Sequence, residues 1–160
     1  IDYGQLLKKL IVVDIAPRSY PDSHSQIFKN LMAVNLAQFN QRSEVDAALA
    51  ALIPDKAVRS FLLMNVTSYD GQLAWRINLD HLFCNYPALL QAITPLAPIV
   101  QPTLFISGGN SDYIGTEDRQ QIRQWFSNVQ LLRIANAGHW VHADKPEAFY
   151  QTVESFLNHD

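Results

Sequence analysis

Three short, continuous apolar runs rich in β-branched residues constrain the fold of this chain most strongly. They lie at Leu10 to Ile15, Pro102 to Ser107 and Val129 to Ile134. Such runs are typical of parallel strands that are buried on both faces. Helical patterns follow the second and third runs, so the parallel connections cross over through helices. We therefore predict an α/β fold with these three strands in one parallel sheet.

The two helices after the strands carry clear start signals. Thr116 is expected to cap the first of them, with Glu117 in its first turn. The last helix begins at Asp144 or Lys145 and holds Pro146 in its first turn, where a missing N–H does no harm.

The stretch between the first two runs follows a helical rhythm. Ser23 or Ser25 is expected to cap its first helix, and Asp55 a later one. The segment from Leu73 to Ile77 alternates and predicts a short strand or extended loop, and Tyr86 to Ile93 predicts a helix with Pro87 in its first turn.

We therefore interpret residues 21–93 as a compact insertion of several short helices. Residues 1–20 and 94–160 form the α/β core around it.

Composition excludes several classes of function. The net charge of −3 comes without a basic cluster, which argues against nucleic-acid binding. No apolar run approaches the ~20 residues that a membrane span needs. Cys84 is the only cysteine, which rules out an internal disulfide and fits a reducing compartment. No secretory signal is visible, so we expect the cytoplasm.

The ends of the strands carry the candidate chemistry. In open α/β sheets, functional groups gather beyond the carboxyl ends of the strands. Asp14 ends the first run, Asn110 to Asp112 follow the second, and His139 follows the third. An acid and a histidine so placed indicate a base that is oriented by a carboxylate. The alternative for Asp14 is a turn cap before Pro17, and burial of an unpartnered carboxylate would be costly.

A nucleophile to match this pair is missing. The strained turn Gly-x-Ser-x-Gly occurs nowhere in the 160 residues, and Ser107 and Ser111 lack its glycine spacing. Gly108 and Gly109 lack the third glycine of a dinucleotide-binding loop, so no cofactor is expected.

A metal site is not expected either. His24, His81 and His159 lack the spacing of metal ligands.

A family resemblance becomes specific at this point. The segments Asp-Ile-Ala-Pro, Pro-Thr-Leu-Phe-Ile-Ser-Gly-Gly-Asn-Ser and Ala-Gly-His-Trp-Val-His-Ala-Asp-Lys-Pro occur in that order. Together they resemble the C-terminal part of the α/β-hydrolases, and look closest to small bacterial acyl-ester hydrolases related to mammalian abhydrolase-domain proteins. The resemblance implies that the nucleophile and the oxyanion hole precede Ile1, on about a hundred further residues of a domain of usual size.

The resemblance leaves two candidates for the acid. Most of the family carry it after the strand equivalent to the second run, at the place of Ser111, and Asp112 lies one residue late. Asp14 occupies the family's other known acid position. We expect Asp14 to orient His139, with Asp112 as the alternative.

The resemblance also implies a reaction. We expect an esterase or thioesterase that hydrolyses short to medium acyl esters through a Ser-His-Asp triad. An aspartate nucleophile upstream would instead indicate a dehalogenase or an epoxide hydrolase. The insertion is expected to act as a cap, with Trp140, Trp75 and Tyr86 contacting the acyl group, although all three also suit a protein core.

The other hypothesis is a non-catalytic fragment, or a half that depends on the N-terminal portion of the same hydrolase as its partner. The 160-residue chain alone is expected to be inactive.

Overall fold

The computed structural model describes residues 6–158, so His159 lies outside the described residues. These residues form two compact units. One contains residues 6–19 and 92–158, and the other is Tyr20–Gln91.

Five strands and seven α-helices are formed by the described residues, with a short 3-10 helix at Leu36–Gln38. In chain order they are β1 Leu10–Val13, α1 Ser25–Met32, α2 Arg42–Leu49, α3 Lys56–Leu63, β2 Val66–Tyr69, β3 Gln72–Trp75, α4 Leu79–Leu89, β4 Thr103–Gly108, α5 Thr116–Trp125, β5 Val129–Ile134, α6 Val141–Asp144 and α7 Pro146–Asn158.

The first unit is built on a parallel sheet with the strand order β1-β4-β5. Leu10 pairs with Thr103, which in turn pairs with Val129. The central strand β4 is buried throughout, as its continuous apolar sequence predicts. The predicted α/β fold with three parallel strands is therefore confirmed.

Both faces of this sheet are covered, because successive side chains of β4 point to opposite sides. Leu104 and Ile106 pack in a cluster with Phe156 of α7. Phe105 packs with Ile122 and with Phe126, whose ring it meets edge-on at a centroid distance of 5.1 Å. This packing on both faces of the sheet holds β4 in place, and therefore also the start of the loop that follows it.

The second unit, Tyr20–Gln91, has its own apolar core. Val45 and Leu49 of α2 are fully buried there, beside Leu63 of α3. The buried Arg59 guanidinium pairs with Asp46 at 2.7 Å and also donates to two backbone carbonyls. Its charge is thereby paired and hydrogen-bonded, as burial requires.

Part of this unit differs from the predicted helical pattern. β2 and β3 form an antiparallel hairpin whose turn, Asp70–Gly71, has φ values of 50° and 80°. Positive φ at both central residues is the signature of a tight hairpin turn, and Asp-Gly is well suited to it. The sequence pattern predicts only the second of these strands.

The predicted start of one helix and the predicted cap of another are also wrong. The helix expected from Tyr86 begins at Leu79, where the Asn78 side chain caps it, so Pro87 lies near its end. The N-cap position of α1 is held by His24, not by Ser23 or Ser25, and the Asp22 carboxylate accepts from the N–H groups of His24 and Ser25. Within residues 6–158, no helix is long and apolar enough to cross a membrane.

Candidate active site

The candidate site starts at Asp14, the residue that directly follows β1. Its N–H continues the parallel ladder by donating to the Ile106 carbonyl at 2.7 Å. Its φ of 48° then turns the chain out of the strand, which is why β1 stops before Ile15. Aspartate is among the few residues that adopt this left-handed conformation readily. The turn holds the side chain in the interior, where it is fully buried.

Three donors surround the buried Asp14 carboxylate. The Gly108 N–H donates to Oδ1 at 2.9 Å, and the Ser111 hydroxyl donates to Oδ2 at 2.5 Å. The same Oδ2 lies 2.8 Å from Nδ1 of His139. Hydrogen bonds of this kind are what make burial of a carboxylate tolerable. Asp14 is thus held by the last residue of β4 and by the loop that follows, and it holds the imidazole in turn.

Gly108 allows the loop before His139 to approach the end of β4. A Cβ at this position would lie 2.2 Å from the Gly138 carbonyl oxygen and 2.7 Å from that of Ala137. Both atoms belong to the backbone, so no side-chain movement could relieve the clash. The loop is also tied to the strand's end, since the Asn110 N–H donates to the Ala137 carbonyl at 2.8 Å.

His139 is fixed from two further sides. The Gly138 N–H donates to the Asp144 carboxylate of α6 at 2.6 Å, which closes the loop onto the next helix. The imidazole stacks on the Tyr113 ring with a centroid distance of 3.9 Å and an interplanar angle of 22°. The loop and the stacking partner together restrict the orientation of the ring.

The geometry gives the two nitrogens of His139 different roles. Nδ1 contacts Asp14, so Nε2 is the nitrogen that this contact leaves available for proton exchange. The side chain is 44% exposed, whereas that of Asp14 is 0% exposed. A buried acid that orients a half-exposed histidine is a suitable arrangement for a general base.

The other predicted site residues lie in varied surroundings. Asp112 is exposed, and Trp140 is half-buried at the start of α6. Trp75 pairs with Val66 in the hairpin and lines an open cleft of about 400 Å³. Tyr86 is buried, and its hydroxyl lies 3.0 Å from Nδ1 of His24. Their contacts to a substrate stay predictions.

Two contributors to the site carry no strong signal in the sequence. In the sequence, Tyr113 is indistinguishable from any aromatic residue of a loop. The Gly108 N–H is a backbone group, which every residue except proline has. Ser111 does carry a signal, because it stands where most α/β-hydrolases have their acid. Its hydroxyl donates to Asp14, the residue at the family's other acid position.

The fold and this pair define an α/β protein with an acid and a histidine at the carboxyl edge of a parallel sheet. Comparison with known proteins identifies the family within this fold class. The family described as the alpha/beta hydrolase fold matches residues 18–146. The chain belongs to this α/β-hydrolase family.

Two similar proteins are named as a lipase and an esterase. Mouse "sn-1-specific diacylglycerol lipase ABHD11" is 36% identical over 158 residues, which cover 95% of the chain and 52% of the mouse protein. Escherichia coli "Esterase YbfF" is 33% identical over 153 residues, with 95% and 58% covered. The chain spans about half the length of the curated relatives it matches.

A solved structure agrees with these relatives. The structure titled "Marine microorganism esterase" superposes with a TM-score of 0.88 at 36% identity, and the match covers 94% of the chain and 60% of that structure. The relatives and this structure support hydrolase chemistry for the family.

Proposed function

We propose that the complete polypeptide containing this chain is a serine esterase or thioesterase for short to medium acyl esters. Asp14 is its acid and His139 its general base, and the serine lies in a segment that precedes Ile1. The observation that carries the proposal is the 2.8 Å contact between buried Asp14 Oδ2 and half-exposed His139 Nδ1.

The proposed reaction follows from the free nitrogen of the imidazole. The serine hydroxyl attacks the ester carbonyl while Nε2 of His139 takes its proton. The tetrahedral intermediate collapses as the same proton passes to the leaving alcohol or thiol. His139 then activates a water molecule that attacks the acyl-enzyme, which releases the carboxylic acid product and restores the serine hydroxyl. Asp14 stabilises the imidazolium at each stage.

The remaining groups of the proposed reaction also come from the protein. Backbone N–H groups upstream of this chain stabilise the oxyanion. The reaction therefore requires no cofactor and no metal ion. The proposed location is the cytoplasm, in keeping with a single cysteine.

The Tyr20–Gln91 unit is the proposed cap that selects the acyl group. Trp75 supports this role, because its cleft is otherwise lined mainly by apolar residues such as Met32, Val34 and Ile77. Asn78 and Asp80 complete the lining, so the cleft offers an acyl chain an apolar wall beside a polar one. Trp140, next in sequence to the proposed base, is the other proposed acyl contact. Tyr86 is a weaker candidate, since its ring is buried and its hydroxyl is hydrogen-bonded.

The substrate class comes from the names of the relatives. A diacylglycerol lipase and an esterase both cleave acyl esters, and both match nearly the whole chain. We extend that bond type, and not a particular lipid, to this protein.

Hydrolysis of p-nitrophenyl acetate and butyrate by the complete polypeptide tests the proposal. His139→Ala is expected to lower kcat by about 10³-fold or more, the loss typical of removing a triad member. His142→Ala is the matched control, because this exposed histidine lies three residues away and packs edge-on with Phe149. Turnover that survives His139→Ala while requiring His142 would refute the role of His139.

A second candidate is a half that is inactive without its N-terminal partner. The absence of Gly-x-Ser-x-Gly from all 160 residues favours it for the isolated chain. The isolated chain is expected to show no turnover, and adding the N-terminal portion is expected to restore it. An intact mass measured on the same sample shows which polypeptide was assayed.

A further inference from the structure

An open cavity of about 380 Å³ lies in the Tyr20–Gln91 unit, and the esterase proposal does not use it. Its lining combines two cationic side chains, two hydroxyl side chains and an apolar wall. These residues are Arg42, Arg76, Thr67, Ser68, Met64 and Leu73. Among the described residues that line the cavity, none is acidic.

Arg42 is held in place at the cavity by the hairpin. Its Nη2 donates to the Val66 carbonyl at 2.7 Å, which uses one of the five guanidinium N–H groups. Arg42 is also the first residue of α2, where the helix dipole disfavours a positive charge. Helix stability therefore does not explain an arginine at this position.

Arg76 brings a second cation to the same cavity. It directly follows β3, and its backbone N–H donates to the Asn65 carbonyl at 2.8 Å, so the chain is fixed there. Its side chain is exposed. None of the ion pairs formed within residues 6–158 involves Arg42 or Arg76. Both arginines therefore line one cavity, and neither forms an ion pair within the described part of the chain.

We propose that this cavity binds the phosphate group of a small phosphomonoester. Guanidinium groups bind phosphate through paired N–H donors, and two of them match a dianion. The hydroxyls of Thr67 and Ser68 supply further donors. Met64 and Leu73 contact the organic part of the ligand, and the volume lies in the range of small-molecule sites. The inference is independent of the esterase proposal, because it uses neither Asp14 nor His139.

Calorimetric titration of the complete polypeptide at fixed ionic strength tests the assignment. The probes are phenyl phosphate, inorganic phosphate and benzoate, which separate the phosphate group, its organic substituent and a generic organic anion. Phenyl phosphate is expected to bind most tightly. Arg76→Gln is expected to weaken its binding by about tenfold or more, and Arg76→Lys by less.

The matched control is Arg123→Gln. Arg123 is an exposed arginine of α5, in the other unit, so its loss lowers the net charge equally without touching the cavity. It is expected to leave binding of phenyl phosphate unchanged. Because Arg76 is exposed, its variants are expected to fold, and far-ultraviolet circular dichroism verifies this.

Three outcomes would overturn the proposal. They are the absence of binding by phenyl phosphate at millimolar concentration, benzoate or inorganic phosphate binding as tightly as phenyl phosphate, and equal losses in Arg76→Gln and Arg123→Gln. None of these outcomes involves ester turnover, so they are distinguishable from failure of the esterase proposal.

Discussion

Replacing Asp14 by asparagine separates the chemical role of this carboxylate from its structural role. The Gly108 N–H, 2.9 Å from Oδ1, requires an acceptor, so the amide oxygen is expected to occupy that place. The amide NH₂ then faces the Ser111 hydroxyl and Nδ1 of His139. The hydroxyl can rotate to accept, but Nδ1 can accept only if its proton moves to Nε2. The imidazole is thereby locked in the tautomer that cannot act as the proposed base.

The expected losses differ sharply between activity and stability. Replacement of a comparable buried acid lowers kcat by about 10⁴-fold, so we expect a fall of about 10³- to 10⁴-fold, or about 4–5.5 kcal/mol. The amide exchanges charge-assisted hydrogen bonds for neutral ones, which weakens each by about 1 kcal/mol. A neutral group is also easier to bury. The free energy of unfolding is therefore expected to fall by about 2 kcal/mol or less.

Two measurements on the complete polypeptide check this prediction: kcat for p-nitrophenyl butyrate and urea unfolding. Asp112→Asn is the matched control, because this exposed aspartate is the alternative acid. It is expected to leave kcat within about twofold, as for a surface substitution that touches no partner. If Asp14→Asn kept more than a tenth of kcat, or Asp112→Asn lost about 10³-fold, the reasoning would be refuted.

The remaining predictions concern the supports of the site and the start of α1. Gly108→Ala is expected to lower the free energy of unfolding by about 3 kcal/mol or more, measured in urea, because its Cβ would lie 2.2 Å from a backbone oxygen. Ser111→Ala is expected to lower kcat/KM about tenfold, by removing one hydrogen bond from Asp14; an unchanged kcat/KM contradicts this. Hydrogen bonds from Ser25 lower the pKa of Asp22 in the folded protein. The stability that the Asp22 carboxylate contributes is therefore complete above an aspartate's ordinary pKa, and it is lost as the pH falls through the lowered pKa. The stability difference between wild type and Asp22→Asn should therefore shrink on acidification; a difference that grows would contradict the sign.

The sheet could be predicted from sequence because each of its strands has a recognisable pattern within a short stretch of residues. A parallel strand buried on both faces needs a continuous apolar run, and β5 has the predicted limits, Val129–Ile134. The end of β1 was harder to predict. Ile15 continues the apolar run, but the left-handed turn at Asp14 has already ended the strand. The first strand of the hairpin escaped prediction because the Val-Thr-Ser-Tyr of β2 is partly polar and half of it is exposed.

The candidate site depends on contacts between distant parts of the chain. Asp14 and His139 are 125 positions apart, and Asp14 and Ser111 are 97 apart. Their residue types and places after strands suggested the pair, and the family resemblance made it specific. The stacking of Tyr113 on His139 and the close approach at Gly108 follow from how two loops meet, which no local pattern encodes. The catalytic roles themselves stay predictions.

Labelling of the complete polypeptide with a fluorophosphonate, followed by peptide mapping, tests the central claim most directly. This probe reacts with a serine that an adjacent base has activated. We predict a single adduct on a serine outside residues 1–160, with labelling lost in His139→Ala and kept in His142→Ala. An adduct on a serine within the 160 residues, or labelling that is unchanged in His139→Ala, would contradict the account.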